Sequence, residues 1–481
     1  MTLLSDLMFE ARITARSLAD AVTGNGLRLG VTGLSRAGKT VFITALVEAF
    51  TRGARLPVLR AAAEGRITRA TLRPQPDDAV PRFAVEDHVR ALTIERRWPE
   101  STRRISELRL SIEFERKAGW RGGPATLTLD IVDYPGEWLL DLPLLDKSYA
   151  QWSADTLEAS VSAARAPLAA DWRGFLTGLP ADAPASEDLA RRSAELFTAY
   201  LRASRAELYS LSTLPPGRFL MPGDLEGSPA LTFAPLPPGQ VASGSLAAMM
   251  ERRYEAYKQH VVRPFFRDHF ARLDRQIVLV DALSALNSGP AAVRDLQGAL
   301  TDVMQAFRIG RSGMLATLFR PRIERILFAA TKADHLHHTS HDRLEAILRL
   351  LTARAIAKAE DVGAAIDVIA LAAVRATREA AVTQHGETLD AIIGTPIAGE
   401  RLGGELFDGH AEAAIFPGEL PADPKLALRG DALALGEDEA DYRFVKFRPP
   451  LPEPGRDGAP SALPHIRLDR ALQFLLGDKL A

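Results

Sequence analysis

The chain has no cysteine among its 481 residues, which excludes disulfides, iron–sulfur clusters and thiolate catalysis and leaves the compartment open. It has no run of about 18 apolar residues, so no membrane-spanning helix is expected. It also lacks an excess of charge. Lys and Arg total 59 against 61 Asp and Glu, a net charge of −2, which gives no pull towards nucleic acid or an anionic membrane, and no nucleic-acid partner is expected. The N-terminus lacks the pattern of a secretory signal, because Asp6 and Glu10 fall among the apolar residues of Met1 to Ala19. That stretch predicts an amphipathic helix packed on its domain, with peripheral membrane contact as the alternative. No internal repeat occurs. Hydrophobic residues make up 47% and charged residues 25%, as in soluble globular proteins, and the length exceeds one hydrophobic core.

What is present is phosphate chemistry. Residues Gly33-Leu-Ser-Arg-Ala-Gly-Lys-Thr40 complete the pattern G-x-x-x-x-G-K-[ST]. An apolar stretch (Leu27 to Thr32) precedes it and a helical one, opening at Val41, follows. Gly33 allows the sharp turn, and Gly38 lets the backbone close on phosphate oxygens. Ser35, Arg36, Ala37, Gly38 and Val41 supply the cradle, and the helix start adds partial positive charge. Lys39 is expected on the β- and γ-phosphates, and Thr40 on Mg²⁺.

Asp133-Tyr-Pro-Gly136 closes a later apolar strand. A carboxylate there can hold Mg²⁺, and Gly136 can offer a backbone N–H to a γ-phosphate, making the next segment sensitive to that phosphate. A Mg²⁺-binding switch threonine is expected between the two motifs. Thr102 in Trp98-Pro-Glu-Ser-Thr102 is the leading candidate, with Thr93 and Ser101 competing. Glu137 occupies the place where a water-orienting side chain would sit, although its charge would repel the γ-phosphate. Thr331-Lys-Ala-Asp334 matches [NT]-K-x-D. The Asp334 carboxylate can accept from the two N–H groups on guanine's edge while the Lys332 stem covers the base. Adenine lacks that donor pair. His335 adjoins this motif, and Val374 can supply backbone contacts. The histidines at 335, 337, 338 and 341 invite a metal reading. No paired ligand motif accompanies them, so a loop cluster is the expectation.

Strands are predicted at Leu27 to Thr32, Leu108 to Glu115 (half-buried or edge), Thr126 to Val132, Gln276 to Val280, Arg325 to Ala330 and Ala365 to Ala370. Helical patterns separate most of them. The expected fold is an α/β P-loop NTPase with a doubly wound, mostly parallel sheet. Residues 1–137 and 274–380 would form the nucleotide domain, 138–273 a mainly helical insertion, and 381–481 a small C-terminal accessory region. Within the insertion, Ser186 is the predicted N-cap of a helix presenting Leu189, Leu196, Tyr200, Leu208 and Leu211. A second long helix is predicted over Leu246 to Phe270. Its stripe of Met249, Tyr254, Tyr257 and Phe265 reads as core or partner surface. The tail carries a strand-like Tyr442 to Phe447 and a last helix, Ile466 to Leu476, ending at Gly477.

Together these segments resemble the YcjX-like family of bacterial stress-associated P-loop GTPases. The resemblance rests on Val31–Thr40, Asp133–Asp141, Val278–Asn287, Thr331–His335, Phe447–Pro450, His465–Arg470 and Gly477–Lys479, spanning nearly the whole chain. It implies a cytoplasmic protein that binds GTP and GDP with Mg²⁺, tied to phage-shock or heat-shock regulation, with no known downstream target. The phosphate loop also resembles that of guanylate-binding proteins, large GTPases in which an Arg at the position of Arg36 serves as an internal arginine finger. The expected activity is therefore a slow GTPase switch, catalysed through Lys39, Arg36, Thr102 and Glu137, with an unknown protein partner reached through the insertion. A nucleotide-gated scaffold without turnover and an ATP-using protein are the alternatives.

Overall fold

The computed structural model describes residues 26–481 except 35, 76, 101, 118–121, 181, 207, 240, 307–322, 361–362, 385–386, 403, 430–441, 443 and 452–460. Ser35, Ser101 and the amphipathic stretch Met1 to Ala19 lie outside the described residues. Seven strands form one sheet in the order β2-β3-β4-β1-β5-β6-β7. They are β1 Gly26–Gly33, β2 Ile67–Arg73, β3 Ser106–Arg116, β4 Gly123–Asp133, β5 Arg275–Val280, β6 Arg325–Ala330 and β7 Ala365–Ala370. From β4 to β7 all neighbours pair in parallel, and β3 runs antiparallel to both β4 and β2. Helices cover both faces, giving the expected doubly wound α/β fold of P-loop type. β3 is not an edge strand, because β2 lies outside it. β2 carries no apolar run: its sequence Ile-Thr-Arg-Ala-Thr-Leu-Arg is half in solvent, as suits an outermost strand.

Between β4 and β5 the chain is helical. A 3₁₀ stretch, Gly136–Asp146, leads to helices Tyr149–Ala159, Ala170–Thr177, Glu187–Arg205, Leu246–Tyr257 and Arg263–Asp268. Ser186 caps the third of these, its Oγ accepting from Leu189 N at 3.4 Å. Leu208 lies beyond that helix and is exposed, so it does not extend the apolar face. The predicted single helix over Leu246 to Phe270 is broken by a π turn at Lys258–Val262. Pro264 has no N–H to donate into the preceding turn, and the wider turn absorbs the missing bond. Aromatic rings fill the insertion's interior. Trp152 stacks on Tyr254 at 5.1 Å and Trp172 on Tyr200 at 5.4 Å. Met249, Tyr254, Tyr257 and Phe265 are all buried there, as core. This core is continuous with one face of the sheet.

The opposite face is covered by helix Lys39–Thr51 and by the last helix, Leu468–Leu476. Arg275, fully buried at the start of β5, pins that last helix by ion-pairing with Asp478. Arg325 on β6 donates to Phe474 O at 2.6 Å. The helix starts later than Ile466, which instead bridges Ala372. Gly477 keeps right-handed φ −58°, so it does not end the helix with a left-handed turn. β8 Arg378–Gln384, β9 Glu387–Gly394 and Ala413–Ile415 form a separate three-stranded antiparallel sheet. Among the described residues of Tyr442 to Phe447, the predicted strand does not form. Phe447 makes one bridge, with Pro396. Among the described residues, no helix is long and apolar enough to cross a membrane.

Asp141 ties the start of the insertion together. It is buried, accepting from Gly217 N at 2.7 Å and from the Tyr257 hydroxyl at 2.7 Å. Burial pushes its carboxyl up to about 6, against the pull of Tyr257, the Gly217 N–H and Arg218. A carboxyl raised in the folded state favours folding below its unfolded value and loses that contribution as pH climbs through the folded value. The protein should therefore lose stability between about pH 4 and about pH 6 through this group. Asp141→Asn should show a smaller loss than the wild type between pH 5 and pH 7, read by urea denaturation.

Candidate nucleotide-binding site

The parallel strands end along one edge, where open α/β sheets bind ligands. β1 runs into Gly33, β4 ends at Asp133, β5 precedes Asp281, β6 precedes Thr331 and β7 precedes Leu371. A cavity of about 360 Å³ opens there. Its lining brings together Arg36, Ala37, Gly38, Lys39, Thr40, Val41, Thr102, Glu137, Lys332, Asp334, His335 and Val374. Gly38 adopts φ 81°. Arg36 also lies in the left-handed region, at φ 61°, an uncommon place for a side chain with Cβ. Gly136 sits against the phosphate loop. A Cβ there would fall 1.6 Å from Gly33 O, and a Cβ on Gly33 would fall 2.6 Å from Leu279 O.

At the phosphate end Lys39 Nζ donates to Gly33 O at 3.1 Å. Thr40 Oγ1 lies 3.3 Å from Thr102 Oγ1, and Thr102 donates to Asp133 Oδ2 at 2.8 Å. Thr93 turns away, donating to Val89 O within its own helix. Asp133 is buried. Burial pushes its carboxyl up to about 6, opposed by Lys39, the Thr102 hydroxyl and the Tyr134 N–H. Its Oδ1 has no hydrogen-bond partner. A buried carboxylate oxygen without a donor beside two hydroxyls is an all-oxygen set that fits Mg²⁺.

At the other end Asp334 is buried, with Ala376 N donating to Oδ2 at 2.8 Å and the Thr377 hydroxyl donating to its carbonyl. Lys332 takes φ 61°, and its ammonium pairs with Asp281. Burial alone would raise the Asp281 carboxyl. Lys332 and Ser284 outweigh it and hold the group below its usual range. His335 meets Phe447 edge-on at 5.5 Å, and burial pushes its pKa down, leaving it neutral at pH 7. Trp98 Nε1 donates to Phe447 O at 2.6 Å. Trp98, Ile397, Lys446 and Phe447 also line the cavity, and motif spacing does not reveal them. The available signal was a large aromatic within two residues of proline, in Trp98-Pro99 and Phe447-Arg-Pro-Pro450.

Glu137 is 4% exposed and ion-pairs with Arg205 at the end of helix Glu187–Arg205. Arg36 and Arg205 both also line a larger cavity, about 1320 Å³, between the sheet edge and the insertion. The four histidines do not converge as a set. His341 Nε2 bonds to Ala333 O at 2.9 Å and His335 faces Phe447, while His337 and His338 lie side by side at 4.3 Å between ring centroids and, with Glu379, bring three possible ligand atoms within 4.8 Å of one another.

A family model described as "YcjX-like family, DUF463" matches residues 27–480. The chain belongs to that family. It is similar to "Ras-like GTPase YcjX" of Escherichia coli (strain K12), at 40% identity over 470 residues, covering 94% of this chain and 96% of the relative. It is also similar to "Ras-like GTPase YcjX" of Shewanella oneidensis, at 35% identity over 493 aligned positions, covering 97% of each.

The backbone contact between Gly136 and Gly33 sets a stability ranking. Gly136→Ala drives a methyl into a carbonyl and should cost about 3 kcal/mol or more. Gly38→Ala enters open space and should cost only the left-handed backbone strain, about 1–2 kcal/mol. Urea unfolding of both variants checks the order.

Proposed function

We propose that the protein is a guanine-nucleotide switch that binds GTP and GDP with Mg²⁺ and hydrolyses GTP to GDP and phosphate. One observation carries this reading. Thr40 and Thr102 line a cavity that Asp334 also lines, and Thr102 donates to the buried Asp133 behind it. The names of the two relatives support it. In this reading 1–137 and 274–380 form the GTPase domain, 138–273 the responsive insertion, and 381–481 a region that closes the base end.

Backbone N–H groups of the phosphate loop cradle the phosphates, and Lys39 exchanges Gly33 O for β- and γ-phosphate oxygens. Thr40, Thr102 and Asp133 would hold Mg²⁺, which neutralises phosphate charge. Asp334 accepts from guanine, and Lys332, anchored on Asp281, lies along the base. Arg36 offsets charge that grows on the phosphates during reaction. Water oxygen bonds to the γ-phosphorus as the bond to the β–γ bridging oxygen breaks, and that electron pair stays on GDP. Loss of the γ-phosphate releases Gly136 and Thr102. The insertion, resting on Glu137 and Trp138, passes the change to a protein partner. A stress-related output and a cytoplasmic setting belong to the same proposal, through the family resemblance. A scaffold with negligible turnover is the second reading. It is favoured by residue 137 being a carboxylate where a neutral amide would not oppose the γ-phosphate.

Single-turnover hydrolysis separates the two. The switch reading expects wild-type turnover, and its absence with GTP bound leaves the scaffold. Arg36→Ala should slow the chemical step on the order of 10²-fold, and an unchanged rate removes Arg36 from the reaction. Calorimetry should show GTP bound far more tightly than ATP. Asp334→Asn should weaken GTP on the order of 10²-fold or more, because a donor would then face a donor. A wild-type preference for ATP would overturn the guanine assignment.

A further inference from the structure

We propose that Arg205, supplied by the helical insertion, is a positioning residue for GTP hydrolysis: it neutralises Glu137 beside the γ-phosphate so that the carboxylate can orient the attacking water. This rests on the GTPase reading above. The difficulty it resolves is electrostatic. Glu137 directly follows Gly136 and lines the phosphate end of the cavity with Arg36, Lys39 and Thr102. A bare carboxylate there would be repelled by the nucleotide it has to serve.

The structure holds Glu137 on three sides. Upstream, Gly136 rests on the phosphate loop, where a Cβ would stand 1.6 Å from Gly33 O. From the insertion, Gly217 packs on the Glu137 carbonyl so closely that a Cβ would stand 1.7 Å from it. Gly217 is itself held by Asp141, at 2.7 Å from its N–H. The third hold is on the side chain, where Arg205 Nη2 donates to Glu137 Oε1. Both side chains are largely withdrawn from solvent, at 22% exposure for Arg205 and 5% for Glu137. A carboxylate has about four lone-pair sites, so one guanidinium contact leaves acceptor capacity for a water. The pair as a whole is neutral and does not oppose the triphosphate.

In the step itself, the Glu137 carboxylate accepts a hydrogen bond from the attacking water. The water oxygen bonds to the γ-phosphorus, the bond to the β–γ bridging oxygen breaks, and GDP keeps that electron pair. The water's protons leave with inorganic phosphate and solvent. Arg205 does not touch the substrate and acts through Glu137 alone. Because it ends helix Glu187–Arg205, hydrolysis requires the insertion to be seated on the nucleotide domain.

The test is single-turnover hydrolysis of GTP by the full chain, with GDP affinity measured in parallel. The proteins are the wild type, Arg205→Ala, Arg205→Lys, Glu137→Gln and the double variant Arg205→Ala/Glu137→Gln. Arg205→Ala should slow the chemical step on the order of 10²-fold while GDP affinity stays within about threefold. Arg205→Lys should recover part of the rate. The double variant should be no slower than Glu137→Gln, since both changes remove one device. A wild-type rate in Arg205→Ala, or losses that multiply in the double variant, would overturn the proposal. If Arg205→Ala loses GDP binding, Arg205→Lys decides: a slowed step with GDP affinity kept supports the role, and an unchanged rate overturns it. A wild type that binds GTP without hydrolysing it removes the GTPase reading and this role together. Turnover insensitive to Arg205 removes this role alone.

Discussion

The architecture depends on two backbones that touch. Gly136 lies against the Gly33 carbonyl, closer than any Cβ would permit, and Gly217 lies in the same way against the Glu137 carbonyl. The first contact joins the phosphate loop to the end of β4. The second joins the end of β4 to the insertion. Three segments far apart in the chain are thereby stacked with no side chain between them. Side-chain packing can slip by a rotamer, but two glycines against carbonyls have no such freedom.

Around this stack several buried charges come in pairs. Asp281 is compensated by Lys332, Glu137 by Arg205, and Arg275 by Asp478. Burying an unpaired charge is expensive, and pairing is what makes such positions tolerable. Asp141 and Asp133 depart from the pattern: Asp141 is satisfied by the Gly217 N–H and the Tyr257 hydroxyl, and Asp133 less completely. Its carboxyl is driven upward despite Lys39 nearby, and one oxygen has no donor. The other oxygen of the same carboxylate accepts from Thr102, whose hydroxyl meets that of Thr40, and a divalent cation held there would supply the missing charge.

Much of this was readable in the chain. The phosphate loop and the runs ending at Asp133, Asp281 and Thr331 announced a parallel sheet with its chemistry on one edge. Buried parallel strands write continuous apolar runs, and loops that turn on phosphate need glycine at set positions. β2 was not legible, since an outer strand half in water needs no apolar run. Nor was the break in the second insertion helix, because the apolar period continues through Pro264 while the hydrogen bonds do not. Thr102 could be ranked above Thr93 only by its place before β3. The hydrogen bonds to Thr40 and Asp133 bring it to the site. Arg205 carries no local motif, and neither it nor Phe447 could be placed from neighbouring residues: tertiary packing brings Phe447 to the cavity and Arg205 to Glu137 from distant parts of the chain.

The last helix has a consequence for how the protein is made. It covers the sheet face built on β1, β5 and β6, and its carbonyls and Asp478 receive the guanidinium groups of Arg275 and Arg325. The phosphate loop is synthesised long before this cover. Until the last helix docks, Leu27, Leu29, Ile277 and Leu327 lack part of their final packing, and Arg275 has Glu324 but not Asp478 as its counter-ion. Joining segments this far apart in the chain costs more chain entropy than joining neighbours, so this face is completed at a higher entropic cost than the local turns beside it. A product lacking residues 468–480 would keep every phosphate-loop residue and still present an open apolar face on its sheet.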